Sequence, residues 1–242
     1  MTAGPRSLPG RVAFRLAHLV ANAAVAARWQ VRRSSLVARL RLSAWWNRAS
    51  LDLDVARDVR LGRGLRFAIT QRSTNTLCIG ERCKIGDDVR VELRGGALRL
   101  GPDVDIRMRC MFGVGGDVSI SGRNILQPGA SLHCDLSIAV GYGSSLGEYC
   151  TVIDSSHRFD GPNDWWVQNI AVAPVAIGGD SWIGAKATIC KGVVIGEGAV
   201  VSGNSLVVRD VPARHVASGV PATTVRPLTG DAGHRAKQTA LQ

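Results

Sequence analysis

Between Ile177 and Pro212 an aliphatic residue returns at every sixth position: Ile177, Ile183, Ile189, Ile195, Val201 and Val207. Gly follows it in three of these hexads (177, 183 and 195), and small residues fill most fifth positions. Six is not a multiple of 3.6, so no α-helix keeps these residues on one face. Six residues are three pleats of a strand, and short self-similar repeats of this kind predict a parallel β-helix. Each coil of such a fold buries its aliphatics only by stacking on the next.

The composition agrees. Aromatics are 5% of the 242 residues and Gly numbers 28, which suits a narrow aliphatic interior with tight corners. The net charge of +11 is localised: residues 1–50 hold nine Arg and no Asp, Glu or Lys, whereas the other 192 residues hold 21 basic and 19 acidic side chains. The basic character belongs to an N-terminal arm, and without interleaved RNA-binding motifs it gives no reason to expect nucleic acid as a partner. The six cysteines form no CxxC pair and have no zinc-ligand spacing, so they are expected as buried free thiols in a reducing cytoplasm.

In chain order, residues 8–48 read as helix, with Val12, Leu16, Leu19, Val20 and Ala23 on one side and Leu36, Val37 and Leu40 renewing the pattern. The apolar part is interrupted by Arg15, His18 and Asn22 and is too short to span a bilayer. A secretory signal is disfavoured because a basic helix continues past it. Two readings remain open: an arm packed on the body or a partner, and an interfacial helix on the inner face of an anionic membrane. The expected organisation is an arm at 1–50, a β-helix at 51–212 with a loop at 153–176, a cap at 213–227 and a flexible tail at 228–242. Within the body, Met108 to Asp117 breaks the count of six and reads as an inserted turn. After Ile138 the frame slips by two residues to Val140.

Loops projecting from a rigid scaffold are where chemistry is placed. The loop at 153–176 carries His157, three Asp and the adjacent Trp165 and Trp166. An imidazole at the base of a loop can take a proton from a hydroxyl near neutral pH. Asp154 and Asp160 are alternative partners for its other ring nitrogen.

From Gln127 to Pro227 the chain resembles the hexapeptide-repeat acyltransferases of the sugar and galactoside O-acetyltransferase type. The resemblance rests on Ile-Gly-Gly-Asp-Ser-Trp182-Ile-Gly-Ala, the following hexads, Val-Val-Arg209-Asp-Val-Pro212, Ala-Ser-Gly-Val-Pro221-Ala, and Ser-Ser-His157 with Asp160 and Pro162. It implies an all-β fold, a left-handed parallel β-helix of about 18 residues per coil, against the usual right-handed rule. It implies a homotrimer with active sites between subunits, using acetyl-CoA as co-substrate and no metal. His157 becomes the general base that activates an acceptor hydroxyl, on a sugar or glycan precursor, for attack on the thioester. A backbone amide of the Gly184-Ala185 turn would face the oxyanion.

The same resemblance places Ala185 and Gly203 along the pantetheine arm, Val208 and Arg209 near the lower end of CoA, and Arg226 against a CoA phosphate. Thr223 departs from the basic residue expected there, with Lys186 or Lys191 as substitutes. Asp135 matches an acceptor-side carboxylate, and Trp165 and Trp166 form either a platform for a sugar face or a staple for the loop. Two other classes remain open to the same repeats. A non-catalytic β-helical trimer shares the fold without the chemistry. A carbonic-anhydrase-like site needs three convergent histidines, and neither His133 nor His157 has a second one close in sequence.

Overall fold

Three short strands make each coil, and like strands of successive coils pair in parallel to give three sheets. The computed structural model describes residues 9–70, 73–159, 161, 164 and 167–228, with side chains from residue 27 onward, Thr224 excepted. Coil 1 comprises Ser50–Val55 on sheet A, Arg60–Leu61 on sheet B and Arg66–Ile69 on sheet C. Coils 2 to 5 begin at Thr74, Ala97, Asp117 and Ser137. Coils 6 and 7 begin at Val175 and Val194, after the long loop. The result is a left-handed parallel β-helix of seven turns.

Aliphatics stack in columns inside it. On sheet A, Leu77, Leu98, Val118, Ile138 and Val175 lie in register one above another, all buried. Burying each such side chain is worth about 1.5–3 kcal/mol, so the columns supply the driving force that aromatics supply elsewhere.

The repeat length changes along the axis. In coils 6 and 7 paired residues are 18 apart (Ile177 with Ile195, Ile183 with Val201, Ile189 with Val207). In coils 3 to 5 they are 20 apart (Leu98 with Val118, Val118 with Ile138), and between coils 1 and 2 they are 24 apart (Leu61 with Ile85). The extra pair sits where sheet C passes to sheet A. Between coils 4 and 5, Ser131–Cys134 and Ser137–Val140 each send two side chains inward, joined by the two-residue corner Asp135-Leu136. The slip from Ile138 to Val140 is this same extension, because both residues point inward on one strand. Met108 to Asp117 is likewise not an inserted turn. It contains the strand Met111–Val114, in register with Leu93 below and Cys134 above through Val114.

Most other corners are tight four-residue turns whose third residue has positive φ, among them Tyr149, Lys186 and Asn204. The first residue of several is Gly because the next coil leaves no room. A Cβ on Gly184 would collide with the Gly203 backbone nitrogen.

Helix α1 (Pro9–Trp46) closes the N-terminal end of the prism. Its C-terminal half touches all three strands of coil 1 and buries Leu36, Leu40 and Ala44 against them. Arg32 donates to the Leu61 carbonyl at 2.8 Å, and Arg33 donates to the carbonyls of Val55 and Ala56. A β-helix would otherwise leave these end-coil carbonyls to solvent, and the guanidinium groups satisfy them. At the other end, His215–Gly219 and Ala222–Pro227 form an antiparallel hairpin over coil 7. Residues 229–242 lie outside the described residues.

Candidate functional site

The loop between coils 5 and 6 opens as a short antiparallel ribbon. Ser155–His157 pairs with Ile170–Val172, setting His157 opposite Ile170. The ribbon leaves from the edge of the prism where sheet C passes to sheet A, and His157 is exposed there.

Asp154 fixes the point of departure. Its carboxylate is fully buried and accepts three backbone N–H groups from the corner one coil below: Asp135 at 2.8 Å, Leu136 at 2.8 Å and Ser137 at 2.7 Å. Its own carbonyl accepts the Ala173 amide at 2.9 Å, which ties the two ends of the loop together. Fully buried and holding this corner, Asp154 serves as a structural carboxylate. Asp160, the alternative, lies outside the described residues, as do Trp165 and Trp166.

A polar ladder runs down the same edge. The Ser155 hydroxyl donates to Asp135 Oδ2 at 2.7 Å, and Arg94 Nη2 donates to Asp135 Oδ1 at 3.1 Å. Arg94 and Asp135 are each about one-third exposed, at 34% and 30%, so the pair is reachable from solvent. His133 lies half-buried beside them. Burial first, then the Arg94 charge, holds its imidazole below the ordinary histidine range, against the opposing pull of Asp135. Ser155 and His157, two apart on one strand, share a side of the ribbon. The Asp135 corner and the foot of the His157 ribbon therefore lie on one edge, where the ladder runs from Ser155 through Asp135 to Arg94.

Arg94 and Ser155 escaped the sequence reading. With Asp135 they recur at the same coil position, separated by spacings of two and one coils of 20–21 residues, as the register shows. That spacing is invisible to a search in sixes.

The remaining residues fall on different edges. Val208 and Arg209, both exposed, follow the strand Leu206–Val207 and occupy the His157 edge two coils further on. Ala185 and Gly203 lie on the edge between sheets B and C, both exposed, stacked so that the Asn204 amide donates to the Ala185 carbonyl at 2.9 Å. Lys186 is exposed on that edge and Lys191 is half-buried in the next corner of the same coil. Arg226 and Thr223 are exposed on the terminal hairpin, Arg226 opposite Val216 on the sheet B side. Within one chain, the strand width of sheet C, roughly 15 Å, separates the edge of His157 from that of Ala185.

Two surface hollows of the single chain lie elsewhere, around Asp54–Asp58 with Cys78–Glu81 and around Trp46–Arg48 with Thr70. Neither contains His157. Among the described residues no group of three His, Cys, Asp or Glu side chains is arranged to hold a metal ion. All six cysteines are free, and burial pushes the thiols of Cys110 to about 11 and of Cys134 and Cys150 to about 12.

No protein-family profile matches the chain. A probable acetyltransferase of Mycobacterium tuberculosis is 29% identical over 172 residues, covering 69% of this chain and 49% of that protein. The galactoside O-acetyltransferase of Escherichia coli is 40% identical over 55 residues, 23% of this chain and 27% of that enzyme. The chain thus spans about half the length of the first relative and under a third of the second. Among solved structures, a polysialic acid O-acetyltransferase superposes with a TM-score of 0.59 at 18% identity, covering 78% of this chain and 93% of that one. At that identity the likeness is one of fold.

Proposed function

We propose that the chain is a hexapeptide-repeat, left-handed β-helix acyltransferase, as its similarity to acetyltransferases and its fold support, and that it transfers an acyl group, acetyl in the first instance, from acyl-CoA to a hydroxyl of a saccharide or glycan precursor. The observation that carries this reading is the edge on which His157, Ser155, Asp135 and Arg94 line up. It offers an exposed imidazole on a short, anchored ribbon, with a carboxylate one coil below to hold a polyol.

In the reaction the His157 imidazole takes the proton of the acceptor hydroxyl as its oxygen attacks the thioester carbonyl. The tetrahedral oxyanion that forms needs an N–H donor, which the turn at Gly184-Ala185 supplies in this reading. Collapse expels the CoA thiolate, and the proton on His157 passes to that sulfur, leaving the imidazole neutral. Asp135 accepts a second hydroxyl of the acceptor and orients it; Trp165 and Trp166 stay proposed as its apolar platform.

The donor runs along Ala185 and Gly203. With no side chain at Gly203 and only a methyl at Ala185, that corner admits a pantetheine chain along the prism axis. Val208, Arg209 and Arg226 are assigned to the nucleotide end, where the guanidinium groups match phosphate. Because Ala185 and His157 occupy different edges of one chain, a single subunit cannot close this site. A homotrimer with parallel axes resolves the separation by setting the edge of one subunit against the next. The exposed apolar residues of the loop, Phe159, Val167, Ile170 and Val172, are the surface such a neighbour would cover. An acyl-CoA donor places the reaction on the cytoplasmic side.

The reading is tested with His157→Ala assayed against acetyl-CoA and a panel of sugars and amino sugars by mass spectrometry. The expected result is loss of transfer by at least two orders of magnitude with CoA binding retained. Transfer at the wild-type rate in that variant would remove His157 from the chemistry.

A further inference from the structure

Helix α1 has two faces, and coil 1 uses only one of them. Leu36, Leu40 and Ala44 point at the β-helix. On the opposite side Val31, Ala38, Leu42 and Trp45 recur at helical spacing. Val31, Leu42 and Trp45 are 69%, 61% and 72% exposed, and the neighbouring Trp46 is 77% exposed. At 100° per residue, Arg28 and Arg39 flank this stripe on one side and Arg41 on the other, and all three are exposed. Residues 1–50 contain no acidic side chain.

We propose that this outer face of α1 lies on an anionic lipid bilayer, with the helix axis in the plane of the surface. An apolar stripe bordered by cations suits the boundary between headgroups and acyl chains: aliphatics below, tryptophans at the boundary, guanidinium groups among phosphates. Among the described residues no helix is long and apolar enough to cross a membrane, so the contact lies on the surface and does not span it. The charge argues against a second copy as the occupant. Two such faces would bring Arg28, Arg39 and Arg41 against their own equivalents with no carboxylate on either arm to neutralise them. Docked this way, the prism stands on its N-terminal end. The departure point of the His157 loop is four coils above coil 1, roughly 20 Å at the spacing of paired strands.

Co-sedimentation of the full chain with vesicles of phosphatidylcholine alone, or mixed with phosphatidylglycerol, tests the proposal without reference to activity. Wild type is expected on the anionic vesicles and not on the neutral ones. The variant R28A/R39A/R41A should bind roughly a hundredfold more weakly, at roughly fivefold per arginine. W45A/W46A should also release the protein and should abolish the tryptophan blue shift that anionic vesicles induce. These positions are exposed, so both variants keep the packing of Leu36, Leu40 and Ala44. Equal binding to neutral vesicles, or wild-type binding by the arginine variant, would overturn the proposal. So would unaltered binding by W45A/W46A, which would make the arm a general polyanion binder. A lower oligomeric state of W45A/W46A in light scattering without lipid would identify the face as a contact between copies instead, and would equally overturn it.

Discussion

Replacing Asp154 should loosen the base of the loop more than any exposed substitution in it. Its two oxygens accept the amides of Asp135, Leu136 and Ser137 at 2.7–2.8 Å from a fully buried position. Three backbone amides are what satisfy that carboxylate away from solvent. Asp154→Ala leaves the three donors with no acceptor. A buried unsatisfied group costs about 1–3 kcal/mol. The corner is partly open at Leu136, which is 43% exposed, so the lower end of the range applies and the sum is about 3 kcal/mol. Asp154→Asn keeps one acceptor oxygen but turns an N–H₂ toward an N–H, and should cost about 2 kcal/mol by the same reckoning. In a chain of this size each kcal/mol moves Tm by roughly 2–4 °C, so the alanine variant should melt roughly 6–12 °C lower. Urea and thermal unfolding at fixed protein concentration read this directly. An alanine variant within about 0.5 kcal/mol of wild type would refute the assignment of Asp154 as the clamp of this corner.

Two further outcomes follow from the buried titratable groups. Because the folded state holds the His133 imidazole below its ordinary range, the unfolded chain binds the proton first as pH falls. Stability is therefore fully present above the unfolded histidine pKa, about 6.5, and is lost as pH drops from there toward the lower folded value. Urea unfolding at stepped pH should show this slope in wild type and a shallower one in His133→Gln. The thiols should divide by burial: at pH 8 half-buried Cys78 and Cys190 are expected to label with iodoacetamide ahead of the buried Cys83, Cys110, Cys134 and Cys150. Intact-mass spectrometry follows the order, and fast labelling of Cys134 or Cys150 in the native chain would contradict it.

The hexads of Ile177 to Pro212 were readable because coils 6 and 7 repeat at 18 residues, a whole number of sixes. Coils 3 to 5 repeat at 20, so each carries two residues that no count of six accommodates. That is why Met108 to Asp117 reads as an interruption in the sequence and is an ordinary strand and corner in the fold. The same mismatch conceals the ladder of Arg94, Asp135 and Ser155, whose members align only once the 20-residue register is known. Asp154 was a reasonable partner for His157 by proximity along the chain. Its burial, and the three amides it holds, depend on a corner one coil away. For the arm, periodicity could not choose between packing and exposure because α1 does both, with Leu36 and Leu40 inward and Leu42 and Trp45 outward. In the proposed site the His157 edge and the Ala185 edge come from different chains, a relation that the family resemblance implies and that the fold of one chain does not contain.

Mixed oligomers test that relation most directly. His157→Ala and Ala185→Trp, the second filling the proposed donor groove, should each be inactive alone. Co-expressed at equal levels, they should recover about a quarter of the wild-type activity per site, the share of junctions at which an intact His157 edge faces an intact Ala185 edge. No recovery from verified mixed trimers would mean that each chain carries a complete site, and the account of a site shared between subunits would fall.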